Sequence, residues 1–146
     1  MSNKLYAVVE MPRDSTYKYE MDTLTGTLVL DRVLQVPVPY NYGYITGTLA
    51  GDDDPLDVFI VSDHPIPPLT LVEIEVLGGF DGDDNGDADA KIIAKIKGDE
   101  PRFSGAEFAI RRYLETYKEG YKVKDEALSV DDALDLIELS TDADGM

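Results

Sequence analysis

Residues 71–97 read LVEIEVLGGFDGDDNGDADAKIIAKIK, and the reading of this stretch decides the fold class. Its two ends, residues 71–77 and 91–97, alternate apolar and polar side chains, the period-2 pattern of half-buried strands. The middle, residues 78–89, is almost wholly Gly, Asp and Asn, a composition that predicts a loop. Working outward toward the N-terminus, residues 5–10 and 58–61 are short apolar runs suited to strands. Residues 17–21 and 27–30 flank Thr25-Gly26 as the two arms of a hairpin would. Toward the C-terminus the period changes. Ser104-Gly105-Ala106-Glu107 matches a capping box, in which Ser104 accepts from the Glu107 amide while Glu107 reaches back. Phe103, Ala106, Ile110, Leu114 and Tyr117 then recur at helical spacing, with Gly120 as the expected stop. Ser129 and Asp132 open a second helix, whose apolar stripe is Val130, Ala133, Leu134 and Ile137. Short strands followed by two helices predict an α+β domain, a small β-barrel with helices packed outside it.

Composition narrows the function. The 146 residues suffice for one domain, 1–146, that buries roughly 68–70% of its unfolded surface. No apolar stretch approaches the ~20 residues of a membrane span, and no signal pattern opens the chain. The absence of cysteine excludes a disulfide framework and thiolate metal sites, and a cytoplasmic protein is expected. A net charge of −17 repels nucleic acid and anionic membranes alike. That charge has two readings: a solvated, salt-tolerant surface, or carboxylates gathered to hold divalent cations.

Position along the chain favours the second reading. Asp52, Asp54 and Asp57 crowd into one short run with Pro55, which fixes its own φ and biases Asp54 toward an extended conformation. The run leads straight into the apolar residues 58–61, where carboxylates either protonate or gather round a cation. A second cluster, Asp81, Asp83, Asp84, Asp87 and Asp89, precedes Lys91. Asp81-x-Asp83-x-Asn85-Gly86 fits the opening of a calcium-binding EF-hand loop, but Ile92 stands where the bidentate Glu belongs. The loop is instead expected to share a site with the first cluster. Only thirteen Lys and Arg are present, and Lys18, Arg32, Lys91 and Lys118 each adjoin a strand, an acidic loop or a tyrosine. Carboxylates beside cations suit a Mg²⁺-bound phosphate ester or anhydride. The tyrosines of Tyr40-Asn41-Tyr42-Gly43-Tyr44 can pack at a turn or donate to phosphate oxygens. The single histidine, His64, lies in a proline-rich connection, so no Ser–His or Cys–His nucleophile can be assembled.

Taken in order, these motifs resemble the family I soluble inorganic pyrophosphatases. Asp52-Asp53-Asp54-Pro55-Leu56-Asp57 matches the signature D-x-D-P-x-D. Val9-Glu10-Met11-Pro12, Lys18-Tyr19-Glu20, Asp31-Arg32, Asn41-Tyr42-Gly43-Tyr44, Asp84 through Lys91, and Tyr117-Lys118 follow in family order, over about residues 5–124. The resemblance implies a twisted OB-like five-stranded β-barrel flanked by two helices, and hydrolysis of pyrophosphate with several Mg²⁺ per site, Mn²⁺ being the alternative. It implies that Asp52, Asp57 and Asp89 hold the activating metals, and that Asp84 and Glu10 help hold those arriving with substrate. Glu20 would tune the site. Lys18, Arg32, Lys91, Tyr117 and Lys118 would grip the phosphoryl groups, Tyr42 would support the nucleophile, and Asp54 would be the general base. A homo-oligomer (hexamer, trimer or dimer) is implied as well. The chain departs from bacterial members in a trimmed stretch before Ser104, in Arg111, Arg112 and Thr116 on a helix face used for subunit contacts, and in Tyr121 where many place tryptophan.

Overall fold

The computed structural model describes residues 4–22, 24–49, 54–102 and 104–141. Asp52, Asp53 and Phe103, on which expectations above fall, lie outside the described residues. Among the described residues, nine strands and two helices follow in the order β1 (Leu5–Met11), β2 (Tyr17–Asp22), β3 (Thr27–Val33), β4 (Asn41–Ile45), β5 (Asp57–Val61), β6 (Leu71–Asp84), β7 (Asp87–Ala88), β8 (Lys91–Ile96), α1 (Ala106–Thr116), β9 (Tyr121–Leu128) and α2 (Val130–Ser140). Neighbouring strands run β1-β4-β5-β8-β6, and β6 pairs back onto β1, closing a five-stranded ring. All its pairings are antiparallel except β5–β8. The five-stranded barrel flanked by helices therefore stands as the family resemblance implies. The hairpin β2–β3 forms a separate two-stranded sheet.

Burial on both faces explains the continuous apolar runs. Phe59 and Val61 of β5 and Ile93 of β8 pack with Ala106, Ile110 and Leu114 of α1. The alternate residues Val58, Ile60, Ile92 and Ala94 pack with Ala133 and Ile137 of α2. Strand β8 is consequently buried along nearly its whole length, not half-buried as its alternation suggests. Its lysines are satisfied internally; Lys95 donates to the Asp99 carbonyl at 2.9 Å.

Four expectations need correction. Residues 78–84 continue β6 as strand, and only Asn85-Gly86 turns, with φ of 53° and 99°, linking Asp84 to its partner Asp87. The reason is crowding: β6 is flanked by β8 and β9, and a Cβ on Gly79 would stand 2.7 Å from the Lys91 carbonyl oxygen. Glycine here permits close approach of backbones and is no sign of a loop. With strands on both sides, the EF-hand reading falls. Second, residues 41–45 form β4, not a turn, because Gly43 lets β4 meet β1 closely; a Cβ there would lie 1.9 Å from the Val8 carbonyl oxygen. Third, Ser104 makes no cap. Gly105 takes the N-cap position with φ 82° and no side-chain bond, which leaves Ser104 one residue too far out. Helix α1 also ends at Thr116, well before Gly120. Fourth, β9 stands between the two helices and pairs with β6. In α2 the cap is as expected, Ser129 Oγ accepting from the Asp132 amide at 3.0 Å. Its buried stripe narrows to Ala133 and Ile137, since Val130 and Leu134 are exposed.

Candidate active site

Two irregularities in strand pairing aim the first acidic side chains. Val9 pairs with Gly43 and Met11 with Tyr42, so Glu10 is the extra residue of a β-bulge in β1. Likewise Lys18 pairs with Arg32 and Tyr19 with Leu30, leaving Asp31 as the extra residue in β3. Bulges re-aim a side chain off the regular alternation, and both of these face one cavity or the cations that line it. Glu10 is only 7% exposed, and its Oε2 accepts from the Met21 amide at 2.8 Å, tying the hairpin to the barrel. Burial pushes its carboxyl up to about 7, against the pull of the Met21 amide and with Asp57 adding to the rise.

Cross-strand pairing sets Lys18 opposite Arg32. Asp31 serves both, lying 3.6 Å from the Lys18 ammonium and 3.0 Å from Arg32 Nε. Glu20 takes the Lys18 ammonium at 2.9 Å. The parallel register of β5 and β8 sets Asp57 beside Lys91. The Lys91 side chain enters the barrel wall with the residue 2% exposed. Its Nζ donates to Asp57 Oδ2 at 2.6 Å, Asp89 Oδ2 at 3.1 Å and the Tyr42 hydroxyl at 2.9 Å. Burial alone would lower the Lys91 pKa, but Asp57, the neighbouring phenols and Asp89 outweigh it and hold the group well above the usual lysine range. Burial raises the Asp89 carboxyl in spite of Lys91, and Asp57 reinforces the rise. Burial also keeps the Tyr42 phenol well above its ordinary range. On the far side, Lys118 Nζ meets Asp84 Oδ2 at 2.7 Å. Tyr117 stacks on Tyr113 with ring centroids 4.9 Å apart, and its phenol is pushed up to about 12 by burial, Lys91 opposing.

These groups surround a cavity of about 160 Å³. Of the residues expected at the site, Glu10, Lys18, Glu20, Arg32, Tyr42, Asp54, Asp57, Asp84, Asp89, Lys91, Tyr117 and Lys118 line it; Asp52 lies outside the described residues. The cavity wall also includes Met21, to which sequence reasoning gave no site role, and Tyr44, which it left between packing and phosphate contact. Asp31, quoted with Arg32 as a motif, received no role of its own; a carboxylate next to a strand cation becomes specific only through the bulge. His64 lies elsewhere, in a depression with Arg13 and Arg102. Among the described residues, no three carboxylates are near enough to ligate one ion, and the Lys91 and Lys118 ammonium groups take oxygens of Asp57, Asp89 and Asp84. Among the described residues, no helix is long and apolar enough to cross a membrane.

Comparison with known proteins bears on this arrangement directly. A family profile described as inorganic pyrophosphatase matches residues 7–143. Soluble inorganic pyrophosphatase 2 of Chlamydomonas reinhardtii is 36% identical over 146 residues, 90% of this chain and 73% of the relative. The inorganic pyrophosphatase of Halalkalibacterium halodurans is 37% identical over 139 residues, covering 87% and 85%. Among solved structures, the inorganic pyrophosphatase of Thermus thermophilus superposes with a TM-score of 0.85 at 32% identity, over 93% of this chain and 88% of that one. Motif order, barrel closure and overall similarity thus converge, and the chain belongs to the family I soluble inorganic pyrophosphatases.

Proposed function

We propose that this inorganic pyrophosphatase cleaves pyrophosphate into two orthophosphates by direct attack of water, with Asp54 as general base and Mg²⁺ as the metal. One observation carries the reading: carboxylates and cations from six strands and three connections line a single cavity of about 160 Å³. The donor set fits the metal. Glu10, Asp57, Asp84 and Asp89 offer oxygen only, without sulfur or imidazole, as a hard divalent ion prefers. Burial raises the carboxyls of Glu10 and Asp89, and Asp57 adds to both rises, so an added positive charge favours their ionised forms. These four, together with Asp52, would hold the ions. When bound, Mg²⁺ supplies screening of substrate charge and acidifies water. Mn²⁺ is the alternative with the same donor preference.

The remaining roles follow from the side chains present. Lys18, Arg32, Lys91, Tyr117 and Lys118 grip the phosphoryl oxygens, and charge growing on the departing phosphate is stabilised by the cations. Glu20 and Asp31 hold Lys18 and Arg32 in place. Pro55 restrains Asp54, which accepts the proton as the water oxygen bonds to phosphorus and the bridging P–O bond breaks. Tyr42 keeps Lys91 oriented through its hydroxyl. Phosphoryl transfer asks little covalent chemistry of a protein beyond such positioning and charge stabilisation. The enzyme is cytoplasmic in this reading and works as a homo-oligomer; exposed Phe108 on α1 supports a covered helix face, and sedimentation checks it.

Phosphate release from pyrophosphate, tripolyphosphate and ATP, with Mg²⁺ or Ca²⁺ as sole divalent ion, tests the function. Rapid release from pyrophosphate with Mg²⁺ and little with Ca²⁺ is expected. No release from pyrophosphate with any divalent ion would sink the reading.

A further inference from the structure

Tyr121 is the first residue of β9 and pairs with Asp84. It is only 6% exposed. Its hydroxyl donates to the backbone carbonyl of Asp89 at 2.7 Å. On the other side of the same residue, the Asp89 amide donates to the Gly82 carbonyl at 3.0 Å. Asp89 is therefore pinned at both its N–H and its C=O, although it lies in the short connection between β7 and β8. The ring of Tyr121 meets Tyr117 edge-on at 5.7 Å, and the Lys91 ammonium stands 5.4 Å from its centroid, within cation–π range. Room for the hydroxyl exists because residue 82 is glycine; a Cβ there would lie 2.2 Å from it.

From this geometry we infer that Tyr121 is a positioning residue, which fixes the main chain of Asp89 and thereby aims its carboxylate for metal binding. The inference rests on the reading of Asp89 as a ligand. Partners that orient a ligand from behind commonly matter ~10–100-fold in metal affinity. Tyr121→Phe removes the hydroxyl while leaving the ring packing against Tyr117, so it isolates the hydrogen bond. Gly82→Ala reaches the same bond from the other side by displacing the hydroxyl.

The test is isothermal titration of the full chain with Mg²⁺ alone, together with KM and kcat and thermal melts. Tyr121→Phe and Gly82→Ala should each weaken the tightest Mg²⁺ binding ~10-fold or more, and kcat at saturating Mg²⁺ should recover to within a few-fold. In an Asp89→Asn background, Tyr121→Phe should add little further loss. Unchanged Mg²⁺ affinity in Tyr121→Phe, or a loss equally large in the Asp89→Asn background, would overturn the inference. A lowered melting temperature with unchanged affinity would overturn it too. Should Asp89→Asn itself leave Mg²⁺ affinity intact, the ligand assignment fails instead, and the inference with it.

Discussion

Lys91→Met asks how much of the metal-free fold depends on one ammonium group. Its Nζ lies 2.6 Å from Asp57 and 3.1 Å from Asp89, in a residue only 2% exposed. Methionine has a similar length and volume, so the substitution removes charge more than packing. Two carboxylates are then left in a partly buried wall with no counter-charge. Breaking a buried ion pair from one side costs about 3–5 kcal/mol, a large share of the ~5–15 kcal/mol that holds a domain folded. For a chain of this size that corresponds to a fall in melting temperature of very roughly 6–20 °C. The group's pKa is raised in the fold, so its stabilisation is fully present below the ordinary lysine value of 10.5 and unaltered between pH 7 and 8. The assay is urea unfolding followed by circular dichroism at pH 8, in EDTA and in saturating Mg²⁺. A large loss is expected in EDTA and a much smaller one in Mg²⁺, because added divalent charge compensates Asp57 and Asp89. Asp57→Asn in the same chain should restore part of the EDTA loss. A wild-type midpoint in EDTA, or an equal loss in both conditions, would refute the account.

Other predictions concern base, buried acid and backbone. Asp54→Asn should lower turnover ~10²–10⁴-fold with Mg²⁺ affinity by calorimetry nearly kept, whereas Asp57→Asn should weaken both and Asp53→Asn neither; equal damage at Asp53 would contradict the assignment. For Glu10, the folded carboxyl near 7 against an ordinary 4.5 means that the folded state holds the proton more tightly. Metal-free stability should therefore fall as pH rises from 4.5 through 7, by at most ~3.5 kcal/mol at ~1.4 kcal/mol per pH unit. Melts in EDTA should show a shallower fall in Glu10→Gln, and parallel curves would refute this. Gly43→Ala forces a Cβ to within 1.9 Å of the Val8 carbonyl oxygen and should cost ~3 kcal/mol or more by prising β4 from β1; an unchanged melting temperature would count against that close contact.

How much of this was legible in the sequence depends on whether the signal is local. The hairpin at Thr25-Gly26, the Ser129 cap and the apolar runs of β1 and β5 announce themselves through residues a few positions apart, and each is found where expected. Nearly every candidate site residue also lines the cavity, because the short motifs lie on strands and connections that converge there. What escaped depends on distant neighbours. Gly79 and Gly82 read as loop residues until β8 and β9 stand against them, since glycine signals a turn and a tight backbone approach alike. Asn85-Gly86, a strong hairpin signal, was hidden by the glycines and aspartates around it. The Ser104 capping box failed because Gly105 entered the left-handed region and shifted the helix start by one residue. Strand β9 carries charged residues at half of its positions, and only its pairing to β6 makes it a strand.

The two bulges show why charge pattern alone could not assign the site. In an unbroken β1, Glu10 would obey the alternation that sends Val9 and Met11 into the core, and its carboxylate would face away from a regular partner. The extra residue lets Glu10 turn into the cavity while Val9 and Met11 both remain buried. The cost is a carboxyl with a raised pKa whose direct bond is to the Met21 amide. Asp31 uses the same device with the opposite consequence: it meets Lys18 and Arg32, which outweigh the opposing effect of burial and lower its pKa. One bulge thus holds a negative charge short of compensation, and the other holds two positive charges ready. A cavity built this way suits a polyanion arriving with divalent cations better than either partner alone. Glu10→Gln should accordingly weaken Mg²⁺ binding in the presence of a non-hydrolysable diphosphonate more than in its absence. Equal weakening in the two titrations would mean that Glu10 answers to the metal alone.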